Sequence, residues 1–280
     1  MKAATAIGIG AGLLGLMLAG MMEGTSPMTL FNIPALIIVM VGTGCATLAS
    51  VGGDAMKRIP ALYKLTFGPP ELDVRARVDL VVSLAEQARR EGLLALDAQL
   101  AEIDDEFTRK GLQLVVDGTD PELVREILEA EIEGMTARHA VGANTFEKAG
   151  GFAPTMGIIG TVMGLVHVLQ NLADPSSLGP AISVAFIATL LGVGAANVIF
   201  LPVGARLKAL SSEEAELRWL TLEGILAVQA GDNPRVVADK LTSYVPPAER
   251  GRDEDAATDV AAARSEPGGG APEPAAAEAA

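Results

Sequence analysis

This sequence predicts an all-α polytopic membrane protein, with four transmembrane helices in two hairpins and a helical cytoplasmic region. Three observations carry the prediction. First, half of the 280 residues are hydrophobic but only 4% are aromatic, and the apolar residues sit in unbroken runs rather than at the spacing of a soluble core. Second, the four runs Ala3–Met22, Ile33–Val51, Phe152–Leu169 and Ala181–Val203 contain no Asp, Glu, Lys or Arg, and each approaches the ~20 residues that cross a bilayer. Third, the basic residues are one-sided. Twelve of the 21 lie between the second and third runs, eight follow the fourth, and one is Lys2, while tips 23–32 and 170–180 have none. The positive-inside rule then puts both termini and the central stretch in the cytoplasm.

Taken in order, residues 3–51 form the first hairpin. Its opening run follows Met1-Lys2 as a signal peptide would, but is too long for a typical signal core and lacks a good cleavage site. Residues 52–151 form a cytoplasmic helical region. Leu80, Val81, Leu84 and Ala88, then Leu93, Leu94, Leu96 and Leu100, keep close to the helical period and predict a helix over Val78–Ile103. Leu112–Val116 is the one short strand-like run. Asp-Gly-Thr-Asp-Pro at 117–121 breaks the pattern. A new helix then starts at Pro121, capped by Asp120 or by a Thr119/Glu122 capping box, and runs through Arg138 and Phe146 toward the third run. Residues 152–203 form the second hairpin, and 204–245 carry helices starting at Ser212 and at Pro234. The Ala-, Pro-, Glu- and Gly-rich residues 246–280 read as a disordered tail.

The chemistry is bounded by what the chain lacks. Net charge is −14, which argues against nucleic acid. One cysteine, Cys45, excludes an intrachain disulfide and a CxxC zinc site, and reads as a small buried residue. His139 and His167 leave little for a metal site. No phosphate-binding loop, dinucleotide fingerprint or nucleophile elbow occurs in a usable context, the glycines of the first run lying inside a span, so no enzyme activity, metal or cofactor is expected. A pump for H+ or Na+ normally carries a carboxylate near the bilayer midplane. These spans have none, so if ions move, a partner chain brings the acid.

The second hairpin is unusual for a passive anchor. Pro154 opens the third run and Pro202 closes the fourth; Gly157, Gly160 and Gly164 form a small-residue stripe, joined by Gly192 and Gly194. Thr161 and Thr189 add one hydroxyl to each span. Such residues serve ordinary helix packing, with each Thr bonding its own backbone. Together they also fit a lining that surrounds a partner helix and offers oxygens to a cation.

At these residues the chain resembles the A subunit of the flagellar stator, the MotA/PomA family. Phe152-Ala-Pro-Thr-Met-Gly-Ile-Ile-Gly-Thr-Val-Met-Gly-Leu-Val is similar to that family's third span. Asp174-Pro, Leu178-Gly-Pro, Val184-Ala-Phe-Ile-Ala-Thr-Leu-Leu-Gly and Phe200-Leu-Pro-Val resemble its loop and fourth span. Phe31-Asn-Ile-Pro and Ile38-Val-Met-Val-Gly-Thr look like its second span, and Asp117-Gly-Thr-Asp-Pro-Glu-Leu also fits. Arg89-Arg-Glu-Gly-Leu-Leu-Ala-Leu-Asp97 is similar to its cytoplasmic Arg…Glu motif, with Asp97 in place of Glu. The ExbB/TolQ energy transducers share the second hairpin but have three spans, which makes them the alternative within the superfamily. A non-conducting membrane scaffold is the alternative outside it.

The resemblance implies a flagellar stator subunit in the inner membrane, forming a ring, a pentamer, around helices of a MotB/PomB-like B subunit whose intramembrane Asp carries the ion. Ion flow would turn the ring, and its cytoplasmic helices would push a FliG-like rotor switch protein. Arg89 and Asp97 map onto the rotor-facing charges. Arg90 and Glu91 flank them, with Arg90 two turns from Asp97 if one helix carries both. Pro154 and Pro202 become bend points at the ion path. Thr161 and Thr189 match positions where sodium-type members carry threonine. Ala188 departs from the second threonine such members often have, and proton-type members can also carry Thr189. The coupling ion stays H+ or Na+, with the threonines leaning toward sodium.

Overall fold

The computed structural model describes residues 4–24, 26, 28, 31–172 and 175–245. All regular structure among them is helical, and four helices are long and apolar enough to cross a membrane. The expected tail, 246–280, and the Asp174 motif lie outside the described residues.

The first apolar run is α1 (Ala4–Met22), which buries no residue within the chain. Ile7 and Leu14 are 66% and 62% exposed, so this helix needs lipid or another chain to cover it. The second run is α2 (Ile33–Val51). Asn32 caps it, its side chain accepting from the Ala35 amide at 3.1 Å, and Pro34 occupies the first turn, where no donor is lost. Its middle, Ile37–Val41, widens into a π-helical turn. Cys45 is exposed on α2, not buried as its apolar setting suggested.

Two short helices, α3 (Gly53–Lys57) and α4 (Ile59–Phe67), lead to α5 (Val74–Glu91). The single helix expected over Val78–Ile103 does not form. Gly92 has φ 87°, a conformation that only glycine adopts without strain, and it stops α5. A tight turn, Leu93–Leu96, and a one-turn helix, α6 (Asp97–Leu100), follow. The strand-like run Leu112–Val116 is also helical, as the end of α7 (Glu106–Val116). Leu112 and Val115 are buried and Gln113 is exposed, so spacing by three outweighs β propensity.

The central element is α8 (Pro121–Gln170), fifty residues long, or about 75 Å at the α-helical rise. Asp120 caps it by accepting from the Glu122 amide at 2.9 Å. Pro154 therefore does not open a helix; it sits inside one. The proline ring would press on the carbonyl four residues earlier, and that residue is Gly150, followed by Gly151. The return arm of the hairpin is equally continuous. Helix α9 (Pro175–Gly194) passes through a π turn, Ala195–Phe200, into α10 (Leu201–Ala230). The helix therefore does not end at Pro202, and no new helix starts at Ser212. The π turn comes just before Pro202, where a wider turn accommodates the missing amide donor. The final helix is α11 (Pro234–Thr242).

Helix α8 packs along α9 and α10, while α2 lies against its apolar half. The polar half of the hairpin gathers α5, α7 and α11 around one core, in which Leu84, Phe107, Leu128, Leu222, Ile225 and Leu241 are fully buried. Ion pairs seal its edges. Arg77 meets Asp105 at 2.6 Å, and Glu223 receives both Arg125 at 2.9 Å and Lys240 at 2.6 Å. A small joint of Ala143, Phe146, Val203 and Leu207 connects this core to the apolar half.

Candidate functional site

The α8/α9 pair is held unusually close because its contact residues have almost no side chain. A Cβ added to Gly157 would stand 2.8 Å from the Ala188 carbonyl oxygen, and one on Gly164 would meet the Ala185 methyl at 2.6 Å. A Cβ on Gly192 would collide with the Ala153 carbonyl. With the backbones in contact, short side chains can reach across.

Thr161 on α8 and Thr189 on α9 meet there, their Oγ1 atoms in hydrogen-bond contact. The Thr161 hydroxyl also lies 3.1 Å from the carbonyl oxygen of Gly157, in its own helix, and 3.0 Å from that of Ala185, in the neighbouring one. The Thr189 hydroxyl approaches Gly157 O at 3.4 Å. The expectation that each threonine bonds its own preceding turn holds for Thr161 alone; the recorded partners of Thr189 are on α8. Four oxygens thus converge on two hydroxyl protons, since each threonine donates only once. The cluster is rich in oxygen lone pairs and half-buried, which suits either an interhelical hydrogen-bond lock or a weak cation site. Sequence reading singled out both threonines; their meeting, and the two carbonyls, come only from the helix register.

Pro154 and Pro202 lie on adjacent helices, both partly buried. The Leu201 side chain would stand 2.6 Å from a Cβ on Gly150, so the turn carrying Pro202 rests on α8 one turn before Pro154. Asn197, in the π turn, was not singled out from sequence. It is exposed, and its amide donates to the Val193 carbonyl at 2.9 Å; a polar amide within an apolar run was the available signal. A cleft of about 490 Å³ between α2, α8 and α9 is lined by apolar groups apart from His167, so it offers no second set of ion ligands.

The charged group divides. Arg89, Arg90 and Glu91 are exposed at the end of α5, and Glu91 accepts from Gln87 at 3.3 Å. Asp97 is exposed at the start of α6, beyond the Gly92 break. Arg90 and Asp97 therefore do not share a helix, and among the described residues no ion pair joins them. All four charges face solvent, free to meet another molecule.

The MotA/TolQ/ExbB proton channel family matches residues 99–218. Motility protein A of Borreliella burgdorferi is 38% identical over 250 residues, covering 89% of this chain and 96% of the relative. Motility protein A of Bacillus subtilis is 37% identical over 245 residues, covering 87% and 91%. The solved flagellar MotAB stator complex from Bacillus subtilis superposes with a TM-score of 0.84 at 37% identity, covering 88% of this chain and 97% of the matched one. The C. jejuni MotAB structure gives the same TM-score and coverage at 28% identity.

Proposed function

This chain belongs to the MotA/TolQ/ExbB proton channel family as a flagellar stator subunit, and from that premise we propose how its residues work. Several copies, five by the family resemblance, form a ring in the inner membrane with the termini and the α5/α7/α10/α11 core in the cytoplasm. The α8/α9 hairpins line the ring's interior. A B subunit of the MotB/PomB type supplies the ion-carrying Asp, because the four apolar spans of this chain contain no carboxylate, and that absence is the observation that carries the reading. Ion passage turns the ring, and the exposed Arg89, Arg90, Glu91 and Asp97 engage a FliG-like rotor protein. The chain itself needs no cofactor and performs no bond chemistry.

The convergence of Thr161, Thr189, Gly157 O and Ala185 O supports Na+ as the coupling ion. Hydroxyl and carbonyl oxygens are hard ligands that replace the water a sodium ion gives up. A proton needs only the partner carboxylate and a water path. The deciding measurement is the swimming speed of cells driven by this stator as external sodium is varied at fixed proton motive force. A rising response is expected. A flat one assigns protons to the path and leaves the stator function intact. Co-purification of a single-span chain with an intramembrane Asp tests the partner.

A further inference from the structure

A further chamber, mainly apolar but holding two buried hydroxyls, lies away from the α8/α9 threonines. It has a volume of about 160 Å³ and lies between α2, α3, α4, α8 and the π turn before α10. Thr43 and Thr47, one turn apart on α2, line it. Each is 2% exposed, and neither hydroxyl has a hydrogen-bond partner. Other threonines in the helices behave differently. Thr66, Thr145 and Thr221 each donate to the carbonyl four residues earlier, at 2.9, 2.9 and 2.8 Å. Thr43 and Thr47 forgo that bond, although it is the usual way to bury a threonine in a helix.

The rest of the lining is mainly apolar but not entirely. Tyr63 reaches it from α4, its ring edge-on to Phe146 with centroids 5.0 Å apart. Burial pushes the Tyr63 phenol up from its ordinary value, so it stays protonated and can donate. Thr145 also lines the chamber, and its hydroxyl keeps acceptor capacity beyond the bond to Val141.

We propose that this chamber is a permanent water site, in which ordered water bridges the hydroxyls of Thr43 and Thr47 and fills the gap there between α2 and α8. The volume admits several molecules at about 30 Å³ each, and a buried water needs two to four polar partners, which these side chains begin to supply. A cation is disfavoured because the lining holds no carboxylate to balance its charge. A lipid chain is disfavoured because it would leave both hydroxyls unpaired. The α2/α8 contact is then wet here, whereas α8 and α9 meet backbone to backbone. The inference concerns this chain alone and stands whichever ion the stator carries.

The test uses the full-length chain purified in detergent. Valine matches the shape of threonine, so Thr43→Val with Thr47→Val removes both hydroxyls without changing volume. A hydrated chamber predicts a lower Tm for the double variant and recovery with Thr43→Ser and Thr47→Ser. A dry chamber predicts an unchanged or higher Tm, because valine relieves two stranded hydroxyls, and that result overturns the proposal. Should the valine variant fail to assemble, a high-resolution map of the unaltered protein decides. Water density within hydrogen-bond distance of both Oγ1 atoms supports the site, and an empty or lipid-filled chamber refutes it.

Discussion

Single side chains act here through the protons they can give or take. Thr161 is, among the described residues, the only threonine placed to bridge α8 and α9 through two carbonyls. Thr161→Ala should weaken the sodium dependence of swimming speed, since one ligand is lost while the partner Asp remains. Its cost to stability should be modest, because interhelical hydrogen bonds in membranes contribute roughly 0.6 kcal/mol. Thr161→Ser, which keeps the oxygen, should retain the dependence. In the soluble core, Asp105 caps α7, accepting from the Thr108 amide at 2.9 Å, and pairs with Arg77 at 2.6 Å. Burial pushes its carboxyl up, but hydrogen bonds from Thr108 and Arg77 outweigh this and hold it below the ordinary value. Burial likewise raises Glu223, while Lys240 and Arg125 bring it lower overall. Both folded carboxyls titrate below their unfolded counterparts, so the unfolded chain binds more protons through that range. Stability from these groups is full above the ordinary carboxylate pKa and disappears as pH falls through the depressed values. Acid titration of thermal unfolding should show that loss. Arg77→Leu should reduce it and lower stability at neutral pH by roughly 1.5–3 kcal/mol, the range for a charge-assisted hydrogen bond.

The elements are defined by how tightly they approach and where they bend. Gly157 has no room for a side chain against the Ala188 carbonyl, so Gly157→Val should force α8 and α9 apart. Loss of the assembled protein from membranes, read by its migration in mild detergent, is the expected outcome. The prolines predict the opposite pattern. Pro154 lies inside α8 and Pro202 follows the π turn, so each weakens a helix that otherwise runs continuously from membrane to cytoplasm. Pro154→Ala and Pro202→Ala should leave assembly intact, because alanine restores a backbone donor, yet reduce torque measured on tethered cells. Normal torque in both variants would make the prolines mere accommodations in the helices.

Under the proposed function the whole molecule works as a lever. One fifty-residue helix and its continuous return path join the apolar hairpin to the charged core without a flexible link. Under the proposed function, movement of α8 and α9 in the membrane would be carried to α5 and α6, where Arg89 and Asp97 are exposed. Arg89→Glu or Asp97→Lys should change stability by no more than about 0.5 kcal/mol, as exposed charges without partners usually do. Each should nonetheless impair swimming, and a complementary charge change on the rotor should restore it. Unaltered motility in both reversals would remove these residues from the rotor contact.

The sequence by itself determined the class of the protein. Long apolar runs without charge must be spans, and the family motifs are local strings that survive without knowledge of contacts. Thr161 and Thr189, Pro154 and Pro202 were legible for the same reason, as polar or donor-lacking residues in an apolar setting. Boundaries were less legible where one helix serves two solvents. The change from apolar to polar composition at Phe152 and Val203 marks the membrane edge, but backbone hydrogen bonds continue through it, so α8 and the α9–α10 path do not stop there. At Gly92 the apolar period continues while the backbone turns, which separates Asp97 from Arg89 and Arg90. Only the tertiary structure decided that Thr161 and Thr189 touch, that Gly157 and Ala185 lend carbonyls, and that Thr43 and Thr47 stand unpaired in a chamber. Those facts depend on the register between helices, set by side-chain packing across the interface, and spacing within one helix carries no information about its rotation against another.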